Sequence, residues 1–110
     1  MNQKLNCYRI LVDVAKAMPE MIARFPKYEI KHSNQLRSAM SSALLNLCEG
    51  NGRYHTKERN KFFNYSMGSI SEITGGIEYA SAFGYINSAL AQSTIDHLNK
   101  AYYMIRKLKK

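Results

Sequence analysis

Between Gln35 and Glu72, apolar residues return every three or four positions, and this spacing restricts the stretch to a pair of α-helices. Leu36, Met40, Ala43 and Leu47 mark one helical face, and Phe63, Met67, Ile70 and Ile77 mark another. A strand would require alternation with a period of two, and no such alternation of any length occurs in the chain. Gly50-Asn51-Gly52 separates the two periodic runs and tolerates positive φ, so the first helix is expected to stop near Glu49. Gln35, Ser38, Ser42, Asn46, Glu49 and Arg53 form a polar stripe on the same helix. Polar groups aligned over so many turns predict hydrogen bonds to a neighbouring helix or subunit. In the second helix Glu58, Tyr65, Glu72 and Tyr79 recur every seven residues.

The flanking segments carry the same signature. A helix is predicted from about Lys4 to Arg24, with Tyr8, Leu11, Ala15, Met18, Met21 and Ile22 on its buried side. Pro19 lies inside this pattern and predicts a kink or a break, and Phe25-Pro26 ends the helix. Pro26–Ser33 is read as a connection with room for a helical turn, and Ser33 or Asn34 as the cap of the next helix. Thr56 is the expected N-cap of the third helix, which continues to about Ala82, with Glu58 in its first turn. Gly75-Gly76 lie in the middle of that helix at a cost of about 1 kcal/mol each. Gly76, with Gly68, Ser69 and Ala80, suggests a path of small residues on which another backbone can lie close. Gly84 closes the helix, and Asn87 or Ser88 caps a fourth, in which Ile95, Leu98, Tyr102, Ile105 and Leu108 repeat at helical spacing. The expected architecture is all-α, an antiparallel up-down four-helix bundle in one domain, residues 1–110.

Composition narrows the functional classes. Sixteen Lys and Arg face eight Asp and Glu, a formal net charge of +8. Cys7 and Cys48 have no metal-ligand spacing and are expected to behave as small core hydrophobes in a reducing compartment. Asp13 and Glu20 interrupt any secretory pattern at the start, and no run approaches the roughly 18 apolar residues of a membrane span. The chain is therefore expected to be soluble and cytoplasmic, with no membrane association. His32, His55 and His97 are scattered singly, so neither a metal nor a cofactor is expected.

Several motifs resemble those of a known family. Phe25-Pro26, Gln35-Leu36-Arg37, Asn46-Leu47-Cys48-Glu49-Gly50-Asn51-Gly52-Arg53, Lys57-Glu58 with Phe62, Gly68-Ser69-Ile70-Ser71-Glu72 and Gly84-Tyr85 are similar in order and spacing to the pattern of the four-helix-bundle proteins encoded in intervening sequences of bacterial 23S rRNA genes. The resemblance covers most of the chain from Tyr8 onward. Cys48 stands where Ala is usual, Arg59 where an apolar residue is common, and the Gly75-Gly76 pair is unusual. The resemblance implies a bundle that assembles into a ring-shaped homopentamer. It also implies kinship with the accessory variability determinant of diversity-generating retroelements, a basic protein that works with a reverse transcriptase and nucleic acid.

The candidate binding residues are cationic. Arg53, Lys57, Arg59 and Lys61, with His55 beside them, cluster after the second helix, and Lys100, Arg106, Lys107, Lys109 and Lys110 follow the last acid, Asp96. In an antiparallel bundle the two groups share one pole, to which RNA or DNA phosphates are attracted without sequence readout. Gln35, Asn46, Glu49, Gly50, Glu58, Gly68, Ser69 and Glu72 are read as structural or interface positions. Pairing Glu49 with Glu72 as acid and base is disfavoured, because no nucleophile constellation accompanies them. The tyrosines are read mainly as packing residues, with exposed Tyr54 the exception. The chain is thus expected to be a non-enzymatic, oligomeric nucleic-acid binder. The alternative is an accessory subunit that docks a reverse transcriptase or another nucleic-acid enzyme.

Overall fold

The computed structural model describes residues 3–110, with side chains from Asn6 onward. Four α-helices account for nearly all of it: α1 (Gln3–Ile22), α2 (Ile30–Gly52), α3 (Thr56–Ala82) and α4 (Ser88–Leu108). A 3-10 turn, Lys27–Glu29, leads into α2. No strand occurs among the described residues. The helices form a bundle measuring 44 × 25 × 19 Å around one hydrophobic core.

α2 and α3 pack most extensively, followed by α1 with α4. The α2–α3 contacts pair residues in opposite chain order. Gly50 abuts Phe63, the buried Ser66 hydroxyl donates to the Ala43 carbonyl at 2.7 Å, Ser69 donates to Ser42 Oγ at 2.9 Å, and Leu36 packs against Gly76. The predicted apolar faces of α2 and α3 are all buried. In α1 the core stripe is Cys7, Leu11, Val14, Met18, Met21 and Ile22. Tyr8, expected inside, sits one position off that stripe and is 39% exposed.

Two corners close differently from the expectations, at both of the helix ends that meet there. The chain is helical through Pro19, and the last turn of α1 is finished by hydrogen bonds from Ala23 N–H to the Pro19 carbonyl and from Phe25 N–H to the Ile22 carbonyl. α2 begins at Ile30, ahead of Ser33 and Asn34, because Pro26 opens the 3-10 turn and its carbonyl accepts from Glu29 N–H at 2.9 Å. Ser33 is consequently a buried residue of the first turn and not a cap. α2 also runs past Glu49 to Gly52, and Arg53 ends it in an extended conformation. Gly50 owes its place to packing: a Cβ there would lie 2.5 Å from the Phe63 ring. At the start of α3, His55 is the N-cap and Thr56 the first helical residue, with no side-chain cap.

The α3–α4 corner behaves as read. Gly84 has φ +77°, the sole positive φ among the described residues. Its N–H bonds to the Ser81 carbonyl and that of Tyr85 to Ala80, the paired closure of a Schellman motif. The Asn87 side chain caps α4 by accepting from Leu90 N–H at 2.7 Å.

The small-residue path on α3 divides between two faces. Gly76 and Ala80 are buried, Gly76 making room for Leu36, whereas Gly68 faces outward with no atom of the chain within 4 Å of its would-be Cβ. Cys7 is a core residue, but Cys48, one step round the helix from the buried Leu47, is exposed, and the two are not joined in a disulfide.

Candidate nucleic-acid interface

A pair of hydrogen bonds joins the chain's C-terminus to the start of α3. Asn60 Nδ2 donates to the Lys110 carbonyl at 2.8 Å, and Lys110 N–H donates to Asn60 Oδ1 at 3.2 Å. This contact brings Arg106, Lys107, Lys109 and Lys110 to the same end of the molecule as Arg53, Lys57, Arg59 and Lys61. Lys100 stands apart, eight residues before the end of α4 and so about 12 Å down the axis.

The residues at this end divide by how they are held. Lys57, Lys107 and Lys110 are exposed. Arg53 donates to Glu49 at 3.0 Å, and its guanidinium lies 5.0 Å from the centre of the Phe62 ring. Lys61 covers the same ring at 5.3 Å. Phe62 thereby orients two cations that still face water. Arg59 is turned inward: its guanidinium lies 5.6 Å from the buried Phe63 ring, and its Nε is buried without a hydrogen-bond partner. Its first role is packing, with less of its charge available outside than its neighbours offer.

The helix-two polar stripe is used inside the chain. Asn46 donates to the Ser42 carbonyl at 2.9 Å and to Ser42 Oγ at 3.0 Å, and Ser69 of α3 completes the chain of contacts. Gln35 and Glu72 line a cleft of about 210 Å³ with His32, Leu36, Gly75, Gly76 and Tyr79. Glu49 lies fourteen residues from Gln35 along α2, roughly 20 Å, so Glu49 and Glu72 are not a carboxylate pair. Glu58 is exposed in the first turn of α3. Among the described residues no cluster of His, Cys, Asp and Glu has the makings of a metal site.

The opposite end holds an arrangement that the sequence does not announce. Glu29 accepts hydrogen bonds from the Tyr79 and Tyr85 hydroxyls, both at 2.7 Å, and Tyr28 Oη lies 3.5 Å from that of Tyr85. His32 lies against Tyr79 with ring centres 4.4 Å apart, stacks on Phe25, and has Nε2 3.3 Å from the Gly76 carbonyl. The hydroxyls of Tyr85 and then Tyr79 hold the Glu29 carboxyl below its ordinary range. Contact with Glu29 pushes the Tyr79 phenol up, and the contacts with Tyr28 and Glu29 push Tyr85 up. The one signal in the sequence is the Gly84-Tyr85 motif, whose tyrosine ties the α3–α4 corner to the start of α2.

Among the described residues no helix is long and apolar enough to cross a membrane. Compared with known families, residues 3–107 match the model for the 23S rRNA-intervening sequence protein. No curated protein matches the chain.

Proposed function

Because the chain belongs to the 23S rRNA-intervening sequence protein family, we propose that it is a non-enzymatic nucleic-acid-binding protein whose basic end takes up RNA or DNA phosphates. The observation that carries this reading is the Asn60–Lys110 pairing, which gathers two separate cationic segments on one surface. With most of the +8 net charge focused there, a polyanion gains from every released counterion. No catalytic residue, metal or cofactor takes part. The measurement is a salt titration of oligonucleotide binding. Each phosphate contact contributes about −0.7 to −0.9 to the log–log slope, so a slope steeper than about −3 is expected, and a slope near zero overturns the reading.

In the same reading the helices run antiparallel, up and down, and copies of the bundle assemble as a homopentameric ring that multiplies the basic end into a rim. The exposed side of α3 supports assembly. Gly68 and Gly75 face outward with open space where a Cβ would stand, although each costs a helix about 1 kcal/mol relative to Ala. Light scattering should give five times the 12.6 kDa protomer, and Gly68→Leu with Gly75→Leu should lower that mass. A wild-type monomer at micromolar concentration rules the ring out.

A groove of about 360 Å³ favours a second reading, an accessory subunit that docks a protein. Met18, Pro19, Ile22, Met40 and Leu44 line it, with Arg37 at its edge. A reverse transcriptase encoded beside this gene would be the partner to test. Co-elution that Leu44→Glu, at a partly exposed position of the lining, abolishes while polyanion binding persists would support it, and co-elution unaffected by that change would dismiss the groove.

A further inference from the structure

The three residues between α2 and α3 are Arg53, Tyr54 and His55, and Tyr54 is 92% exposed. Its mounting is short and fixed at both sides. Arg53 N–H bonds to the Gly50 carbonyl at 3.3 Å, and Arg59 N–H bonds to the His55 carbonyl at 3.0 Å. The His55 imidazole meets the Tyr54 ring edge-to-face at 90° with centres 5.5 Å apart. The other highly exposed tyrosine, Tyr28 at 80%, sits beside the Glu29 cluster with its hydroxyl near that of Tyr85. Tyr54 has no comparable part in the fold. Its aromatic surface stands in water within a few residues of Arg53 and Lys57, on the surface where phosphates are expected.

We propose that Tyr54 is a stacking platform for an unpaired base, and that the basic end accordingly selects single-stranded over duplex nucleic acid. This rests on the phosphate-binding reading above and names its substrate class. Cations that track a backbone do not distinguish strands that are paired from strands that are not. An aromatic ring held out among those cations does, because a base offers its face only when unpaired. The ring carries no hydrogen-bond code, so the preference is for unpaired bases in general and not for a sequence. An exposed ring among cations is the pairing by which single strands are held without sequence readout, the cations meeting the backbone and the ring one base. A tyrosine also adds little conformational entropy to lose on binding, since its ring turns about only two side-chain torsions.

The test measures fluorescence anisotropy with a mixed-sequence RNA of about 15 nucleotides, the length one stacking groove can span, the DNA of the same sequence and the corresponding DNA duplex, on the full chain at two or more salt concentrations. Tyr54→Ala should weaken single-strand binding about tenfold and leave duplex binding within about twofold. It should also leave the salt slope unchanged, since no charge is removed. Tyr54→Phe should retain the wild-type affinity, because the ring and not the hydroxyl is invoked. An effect of Tyr54→Ala on either single strand supports the proposal, and comparison of the RNA and DNA arms assigns the sugar. A steep wild-type slope with no effect of Tyr54→Ala, or an equal effect on the duplex, overturns the stacking role and leaves phosphate binding standing. A flat wild-type slope on all three probes overturns both. Circular dichroism of each variant excludes misfolding as the cause.

Discussion

The two ends of the bundle solve opposite electrostatic problems. At one end Lys57, Lys61, Arg106, Lys107, Lys109 and Lys110 stand together with few carboxylates near them, and two hydrogen bonds, both through Asn60, join the segments that carry them. At the other end Glu29 draws two tyrosine hydroxyls onto one carboxylate, and Phe25, His32, Phe83 and Tyr85 stack around them. Like charges kept close raise the free energy of the folded state, so their accumulation at one end has to be sustained by packing elsewhere. The tyrosine end ties three segments onto one carboxylate, whereas the lysine end, held by Asn60 and with Arg53 paired to Glu49, leaves most of its charge uncompensated. A molecule built this way is anchored at one end and available at the other.

Neutralising charge should break the contrast most sharply. Lys57→Gln, Lys61→Gln and Lys107→Gln combined remove three of the exposed cations at the basic end. The expected result is about a hundredfold loss of oligonucleotide affinity near 0.1 M salt and a salt slope shallower by about 2. Arg24→Gln, Lys27→Gln and Lys31→Gln remove the same charge from the opposite end and should change the slope by less than about 0.5 if binding is local. Equal losses from the two triples would show that net charge alone matters and that the basic end is no site.

A second contrast concerns the buried glycines near each end. An alanine Cβ at Gly50 meets the Phe63 ring at 2.5 and 2.6 Å and the Arg59 carbonyl at 3.3 Å. An aromatic ring fixed in the core cannot yield without moving the helix. At Gly76 the added methyl meets chiefly the end of the buried Leu36 side chain, a branched chain with two torsions that can yield more readily than a rigid ring. Both substitutions gain about 1 kcal/mol of helix propensity. Overpacking costs roughly 1–3 kcal/mol and should fall in the upper part of that range at Gly50. Urea denaturation should therefore find Gly50→Ala destabilised by about 1–2 kcal/mol and Gly76→Ala within about 1 kcal/mol of wild type. The reverse order would mean that Leu36 is the more tightly held neighbour.

These two glycines also show how far the sequence could be read. Periodicity located the helices because a buried stripe repeats whatever it packs against, and Leu36, Met40, Ala43 and Leu47 are buried as predicted. It failed at corners, where a glycine has several possible uses. Gly50 looked like a helix stop and proves to be space for Phe63, while Gly84 looked like a stop and is one. Nothing local separates the two cases, since the difference lies in a ring thirteen residues away. The basic end was legible because charge is counted without knowing contacts. The Glu29 cluster was not, because it joins Tyr28, Glu29, Tyr79 and Tyr85, which are separated by up to 57 residues, and a tyrosine's hydroxyl partner leaves no periodic trace. The setting of Arg59 was hidden for the same reason: a cation in sequence, it lies against a buried ring in the fold.

The smallest effect sharpens the comparison through pH. The Glu29 carboxyl is held below its ordinary value near 4.5 by Tyr85 and Tyr79. A depressed carboxylate contributes stability that is present above the unfolded pKa and disappears as pH falls through the folded one. Tyr79 and Tyr85 are raised above their ordinary value near 10, so their contribution is full below that value and decays as pH rises through the folded one. The tyrosine end should accordingly be most stable on a plateau between about pH 5 and pH 10. Glu29→Gln should lower the melting temperature on that plateau, and the deficit should shrink toward about pH 3 as the wild-type carboxyl protonates. At the basic end, Glu49→Gln breaks an exposed pair on a single helix, worth about 0.5 kcal/mol or less, and should leave the shape of the pH profile nearly unaltered. A Glu29→Gln deficit that stays constant from about pH 7 to about pH 3 would show that the amide fails to replace the carboxylate for a reason other than charge, and the two ends would then differ in packing alone.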